Sequence, residues 1–164
     1  METLNQLHQE KVLKGSQLDE KLKKWKAQNL KVVFTNGCFD LLHIGHLSYL
    51  MKAASFGDKL IIGLNSDDSV KRLKGESRPI NAEESRALML ASLFFVDAVT
   101  VFEEDTPLNL IKTVMPDVLV KGGDYKMENI VGAQEVVENG GVVNVVDFVN
   151  GYSSSAIIEK IERK

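Results

Sequence analysis

The chain has 164 residues, 44% apolar and 26% charged, which is enough for one sizeable buried core and suits a single domain better than two. Its 20 basic and 23 acidic side chains leave a net charge of −3, spread along the chain, so a broad cationic surface for nucleic acid is excluded while a local anion site is not. Cys38 is the only cysteine, which excludes an intrachain disulfide; with no secretory h-region and no apolar run near the roughly 20 residues of a membrane span, a cytoplasmic protein with no membrane contact is expected.

Taken in chain order, Ser16 with Asp19 reads as a capping box, and Leu18, Leu22 and Trp25 follow at helical spacing. This predicts an amphipathic helix ending near Asn29, with Trp25 as a packing residue, and sets residues 1–30 apart as an N-terminal helical extension of the main domain at 31–164. Its apolar face is expected to meet either the chain's own sheet or another subunit. Short β-prone runs then recur at Lys31–Thr35, Lys59–Leu64, Ala98–Phe102, Val118–Val120 and Val142–Val146, with helix-length segments between most of them. That punctuation predicts a doubly wound α/β fold, a parallel five-stranded sheet covered by helices on both faces. Such sheets bind ligands beyond the carboxyl ends of their strands, near the reversal of strand order.

The stretch "TNGCFDLLHIGHLSYL" from Thr35 to Leu50 falls at the first such end. Ile44, Leu47, Leu50, Met51 and Ala54 repeat at helical spacing, predicting a helix whose first turn carries His43 and His46. Free amides and the positive end of the helix dipole favour phosphate there, and residues three apart lie on nearly one side, so two imidazoles can address one phosphoryl group. Gly45 between them leaves room for a ligand to approach the backbone. Zinc is a poor alternative, because a pair at i, i+3 with only His8 at a distance lacks the usual ligand spacing. The signatures of serine hydrolases, P-loops and dinucleotide-binding glycine loops are missing, and Cys38 reads as a packed thiol.

"HIGH" at His43–His46, preceded by "NGCFD" and followed by "GLNSDDSVKRLKG", resembles the nucleotidyltransferase superfamily of cytidylyltransferases, pantetheine-phosphate adenylyltransferase and, more distantly, class I aminoacyl-tRNA synthetases. "RLKGESRPIN", "FEEDTP", "VKGGDY" and "NGYSSSAIIEKI" narrow the likeness, which runs from about Lys31 to Ile161, to the bacterial adenylyltransferases that make ADP-heptose. The resemblance implies a Rossmann-like nucleotidyltransferase domain that moves AMP from ATP, with Mg2+, to D-glycero-β-D-manno-heptose 1-phosphate for the lipopolysaccharide core. In many bacteria such a domain follows a sugar kinase; at this length the stand-alone form is expected, and a homodimer is admitted at the family level.

The resemblance assigns His43 and His46 to the phosphates, with Lys74 slightly preferred over Lys71 as a cation on a mobile loop after the second strand. Arg86 is expected to fork towards phosphate from a helix, a surface ion pair with Glu83 being the plainer alternative. Asn36, Gly37, Phe39, Asp40 and Gly45 belong to the first loop, Lys121, Gly122, Gly123 and Asp124 to the nucleotide loop, and Gly151, Ser153, Ser154 and Ser155 to the start of the last helix. Asp124 has helix capping as its plainer role, and capping explains one of the three serines. Phe148 stands where glycerol-phosphate cytidylyltransferases carry an arginine, which argues against glycerol phosphate and CTP. The alternatives are a cytidylyltransferase acting on a polyol phosphate and a nucleotide-binding module without turnover.

Overall fold

A computed structural model describes residues 6, 10–123, 126–147 and 151–163. His8, Asp124 and Phe148 lie outside the described residues.

The sheet contains β1 (Val32–Gly37), β2 (Lys59–Asn65), β3 (Ala98–Phe102), β4 (Val118–Gly122) and β5 (Val142–Val146), all parallel, in the order β3-β2-β1-β4-β5. Helices α1 (Ser16–Ala27), α2 (Ile44–Ala54), α3 (Asp67–Lys74), α4 (Glu83–Ala91), α5 (Leu108–Val114), α6 (Ala133–Glu138) and α7 (Ser154–Glu162) accompany it. β-branched runs buried on both faces explain the strands. Val33, Leu60, Ile62, Leu64, Val118 and Val120 point to a core shared with Leu50, Ala53, Ala87 and Leu90, under α2 and α4. Val32, Phe34, Ile61, Ala98 and Leu119 point the other way, to Leu18, Leu22, Trp25, Ile111 and Val136 of α1, α5 and α6. The fold is the expected doubly wound α/β architecture, and Trp25 is a packing residue on the chain's own sheet.

Local chemistry differs from the sequence reading at three places. Ser16 is the first helical residue rather than the cap of α1: Gly15, at φ 47, precedes it and no side chain closes the N-terminus. A glycine at positive φ turns the chain into the helix, and the expected capping box is not formed. The buried face of α2 is Gly45, Tyr49, Leu50 and Ala53, while Ile44 and Met51 are half exposed. Small residues let this helix sit close to the sheet, and Tyr49 brings a ring with a polar tip, so the plain aliphatic stripe was about one residue out of phase. Lys71 and Lys74 occupy the last turn of α3 rather than a loop; Ser66 caps that helix by accepting from the Ser69 N–H, and Asp67 and Asp68 suit its positive end.

The strand order reverses between β1 and β4. From β1 the chain steps to β2 and β3 on one side, then returns to β4 on the other, so the loops after β1 and β4 part and leave a crevice.

Candidate active site

β1 ends in Asn36 and Gly37, and the chain then turns tightly. Phe39 is buried at φ 45, and a side chain on Gly37 would meet its ring at 3.0 Å, so the glycine makes that turn possible. The Phe39 ring stands edge-on to His46, with centroids 5.3 Å apart, and fixes the imidazole from behind. His43 is the N-cap of α2: its Nδ1 accepts from the His46 N–H at 3.4 Å, which leaves its ring proton on Nε2. The two imidazoles stack with centroids 3.8 Å apart. A Cβ on Gly45 would lie 3.0 Å from the His43 ring and 3.3 Å from Tyr152, so this glycine makes space for the imidazole itself, not for an approaching ligand as expected.

Both rings resist protonation. Burial lowers the pKa of His43, and burial, then the neighbouring His43 and Lys74, push His46 down to about 4 against the opposing effect of a hydrogen bond from the His46 ring to the Leu41 carbonyl. The buried Nδ1 of His46 finds no hydrogen-bond partner among the described residues. The pair is thus neutral at pH 7, and His46 carries an unused polar atom at the helix terminus.

A cleft of about 370 Å³ opens beside His46, lined by the ends of β1, β2 and β4 together with Leu73, Lys74, Asp105 and Ser154. Lys121, from β4, donates to the Asn36 side chain on β1, so its ammonium bridges the reversal point of the sheet. Burial brings its pKa down to about 8. Lys74 reaches the cleft from α3, whereas Lys71 pairs with Asp68 at 3.2 Å on the exposed side. The two lysines thus lie apart, Lys74 on the cleft and Lys71 away from its lining.

Asp40 and Arg86 build the walls. Asp40 is 1% exposed; its carboxylate accepts from Arg78 Nε at 2.5 Å and from the N–H groups of Ile80 and Asn81 at 2.7 and 2.9 Å. Burial alone would raise its pKa, but the bonds from Asn81, Arg78 and Ile80 prevail and hold it low. Asp40 thus shapes the loop. Arg86 is wholly buried, and its guanidinium donates to the carbonyls of Asn81, Cys38 and Asn65 at 2.9, 2.6 and 2.9 Å and to Asp67 at 2.8 Å. Four of its five N–H donors go to protein acceptors; it is not among the residues lining the cleft, and its ion pair is with Asp67 rather than Glu83. It ties the loop after β1 to the end of β2 and to α3.

The serines divide. Ser153 caps α7 through the Ala156 N–H at 3.1 Å, Ser154 lines the cleft and donates to the Leu41 carbonyl at 3.2 Å, and Ser155 is exposed. Gly122 lines the cleft; Gly123 at φ 107 and Gly151 at φ 86 hold left-handed turns beside it. Asp124 lies outside the described residues. Sequence reasoning passed over Tyr49, Asn65 and Asp105. The Tyr49 hydroxyl joins Thr35 at 2.5 Å and donates to the Val120 carbonyl at 3.2 Å, locking α2 to β1 and β4. Helical phase was the available signal for it, and "FEEDTP" that for Asp105. Cys38 is half-buried and burial raises its thiol pKa, against Lys74 and Arg86, so it is a poor nucleophile. A larger hollow of about 650 Å³ between α5 and α6 carries Glu128 and Glu135 and, among the described residues, no basic side chain, the wrong lining for phosphate. Among the described residues no group of three His, Cys, Asp or Glu side chains is placed to hold a metal ion, and no helix is long and apolar enough to cross a membrane.

The cytidylyltransferase-like family model matches residues 34–160. Among curated proteins, the chain is 61% identical over 136 residues to the bifunctional protein HldE of Geobacter sulfurreducens, covering 83% of this chain and 28% of that protein. It is 52% identical over 164 residues to the HldE of Campylobacter jejuni subsp. jejuni serotype O:6, covering 100% of this chain and 34% of the relative. The chain thus spans about a third of the length of the curated relatives it matches. A lipopolysaccharide core biosynthesis protein from Thermoplasma volcanium superposes with a TM-score of 0.59 at 28% identity, over 76% of this chain and 99% of that one. A pantoate-beta-alanine ligase from Francisella tularensis, at 16% identity and a TM-score of 0.61 over 94% of this chain and 78% of its own, shares the fold.

Proposed function

The chain belongs to the cytidylyltransferase-like family, and from that premise we propose that it transfers AMP from ATP to D-glycero-β-D-manno-heptose 1-phosphate, releasing pyrophosphate and forming ADP-heptose. The observation that carries the chemistry is the stacked His43–His46 pair at the start of α2, beside a cleft that also receives Lys74, Lys121 and Ser154. The acceptor rests on the motif resemblance and on identities of 52–61% to HldE proteins.

A phosphate oxygen of the acceptor attacks the α-phosphorus of ATP in line; a P–O bond forms there, the bond to the β-phosphate oxygen breaks, and its electron pair leaves with pyrophosphate. No enzyme nucleophile is required, so the protein positions the reactants and offsets charge. His43 donates from Nε2 to a phosphate oxygen. His46, neutral beforehand, gains a proton or a hydrogen-bond partner once the anion arrives, because negative charge raises the pKa that burial had lowered. Lys74 and Lys121 supply compact positive charge, and Ser154 with the amides of α7 accommodates a further phosphate. Mg2+ would come with ATP as a metal–nucleotide complex and would supply charge neutralisation for the departing pyrophosphate; among the described residues no group of three His, Cys, Asp or Glu side chains is placed to hold it alone.

The test is pyrophosphate release from all four nucleoside triphosphates against a set of sugar and polyol 1-phosphates. The proposal expects product that needs both ATP and heptose 1-phosphate. Preference for CTP with a polyol phosphate would replace it with the cytidylyltransferase reading, and saturable ATP binding without any product would reduce the chain to a binding module.

A further inference from the structure

The segment "FEEDTP" follows β3, and the mechanism above leaves it without a task. Its backbone is held in place: Ser69 Oγ donates to the Glu104 carbonyl at 3.0 Å and Arg72 donates to the Glu103 carbonyl, both from α3. Arg72 Nε also donates to Asp105 Oδ1 at 2.7 Å, while the second carboxylate oxygen has no partner among the described residues. Asp105 lines the same cleft as His46, Lys74 and Lys121.

Of the two carboxylates that line the cleft among the described residues, Asp40 is spent on Arg78 and the loop amides and its side chain is fully buried, whereas that of Asp105 is 67% exposed. With its charge offset by Arg72, the exposed second oxygen of Asp105 attracts no phosphate and remains able to accept from hydroxyl groups. The strand order also separates the two ends: Asp105 follows the outer strand β3, while Lys121 and Ser154 sit across β1, at β4 and α7. The cleft therefore has Lys121 and Ser154, suited to phosphates, on one side of β1, and on the other a charge-paired carboxylate with one oxygen open to a polyhydroxylated group. We propose that Asp105, its carboxylate oriented by Arg72, accepts hydrogen bonds from non-anomeric hydroxyls of the sugar phosphate and selects a hydroxyl-rich acceptor. This rests on the nucleotidyl-transfer reading and assigns a specificity-determining residue within it.

An exposed ion pair alone contributes little to stability, so a purely structural Arg72–Asp105 contact predicts almost no effect of its removal on catalysis. The experiment compares the full chain with Asp105→Asn and Arg72→Gln, using Mg–ATP with heptose 1-phosphate and with deoxy-sugar 1-phosphates lacking one non-anomeric hydroxyl. Pyrophosphate release and melting temperature are both read. Asp105→Asn is expected to lower kcat/KM for heptose 1-phosphate on the order of tenfold, mainly through KM, with the KM for ATP and the melting temperature unchanged. At least one deoxy acceptor will show no further loss, so the parent's discrimination against it collapses. Arg72→Gln moves the same ratio in the same direction by less, since the carboxylate remains but loses its orientation. An unchanged discrimination ratio in Asp105→Asn, or an equal loss on every acceptor and on ATP, overturns the assignment while leaving nucleotidyl transfer intact. Failure of the unsubstituted chain to release pyrophosphate with any acceptor removes both, and is seen without either variant.

Discussion

His46 and Lys121 each carry a proton balance that burial has displaced in the same direction, towards the neutral form. For His46, the folded pKa of about 4 lies below its ordinary 6.5, so between those values the unfolded chain takes up a proton that the folded ring refuses. Stability from this group is present at pH 7 and is lost as pH falls through that window. The parent should lose more melting temperature between pH 7 and pH 5 than His46→Gln does; equal losses would mean that the ring is not desolvated in solution. For Lys121, the folded pKa of about 8 means that the free protein has partly lost the ammonium proton at pH 8.5, and a bound phosphate restores it. Calorimetric titration of Mg–ATP at pH 8.5 in buffers of different ionisation heat should show uptake of roughly half a proton or more per nucleotide, absent in Lys121→Met. Binding with no proton uptake would place the triphosphate away from this lysine.

At the scale of elements, Arg86 holds the loop after β1, the end of β2 and the first turn of α3 together with one guanidinium. Replacing it by Met strands the buried Asn65 carbonyl, the partly buried carbonyls of Cys38 and Asn81 and the Asp67 carboxylate, which should cost about 3 kcal/mol in urea denaturation. Arg86→Lys should recover only part, since an ammonium cannot reach this fork of acceptors; a loss below about 1 kcal/mol in Arg86→Met would contradict the tie. This residue also shows where the sequence stops being legible. The β-branched runs and helix-length gaps specify the parallel sheet because burial on both faces demands them, and "HIGH" after a strand fixes a phosphate-ready helix start. An arginine on an amphipathic helix reads the same whether it faces a phosphate or four protein acceptors, since those come from segments distant along the chain. The phase of α2 was misread for a related reason: Tyr49 counts as polar in a pattern, yet its ring is buried and its hydroxyl finds Thr35 and Val120 only once the sheet has formed. Lys71 and Lys74 differ through tertiary structure alone: the helix capped by Ser66 sets Lys74 on the lining of the cleft and Lys71 beside Asp68.

Over the whole molecule, α1 is structurally continuous with the rest. Leu18, Leu22 and Trp25 are each about 5% exposed or less and pack against Val32, Phe34 and Ile61 of the central strands. Near residue 12 the preceding segment adds a parallel bridge from Val12 to Val99 on β3. Burial of three such side chains contributes roughly 1.5–3 kcal/mol each, comparable to the whole stability of many domains. Deleting residues 1–30 should therefore abolish cooperative folding, and in the intact chain Trp25 fluorescence and far-UV circular dichroism should report one coincident transition. Separate transitions would make α1 an appendage. Function returns to the point where the sheet reverses and α2 begins. The most direct measurement is pyrophosphate release from Mg–ATP and heptose 1-phosphate by His43→Ala, His46→Ala and the double variant, each checked for an unchanged fold. A fall on the order of a hundredfold for each single variant, with the double no better than either, is the expected result; turnover that survives loss of both imidazoles would contradict it.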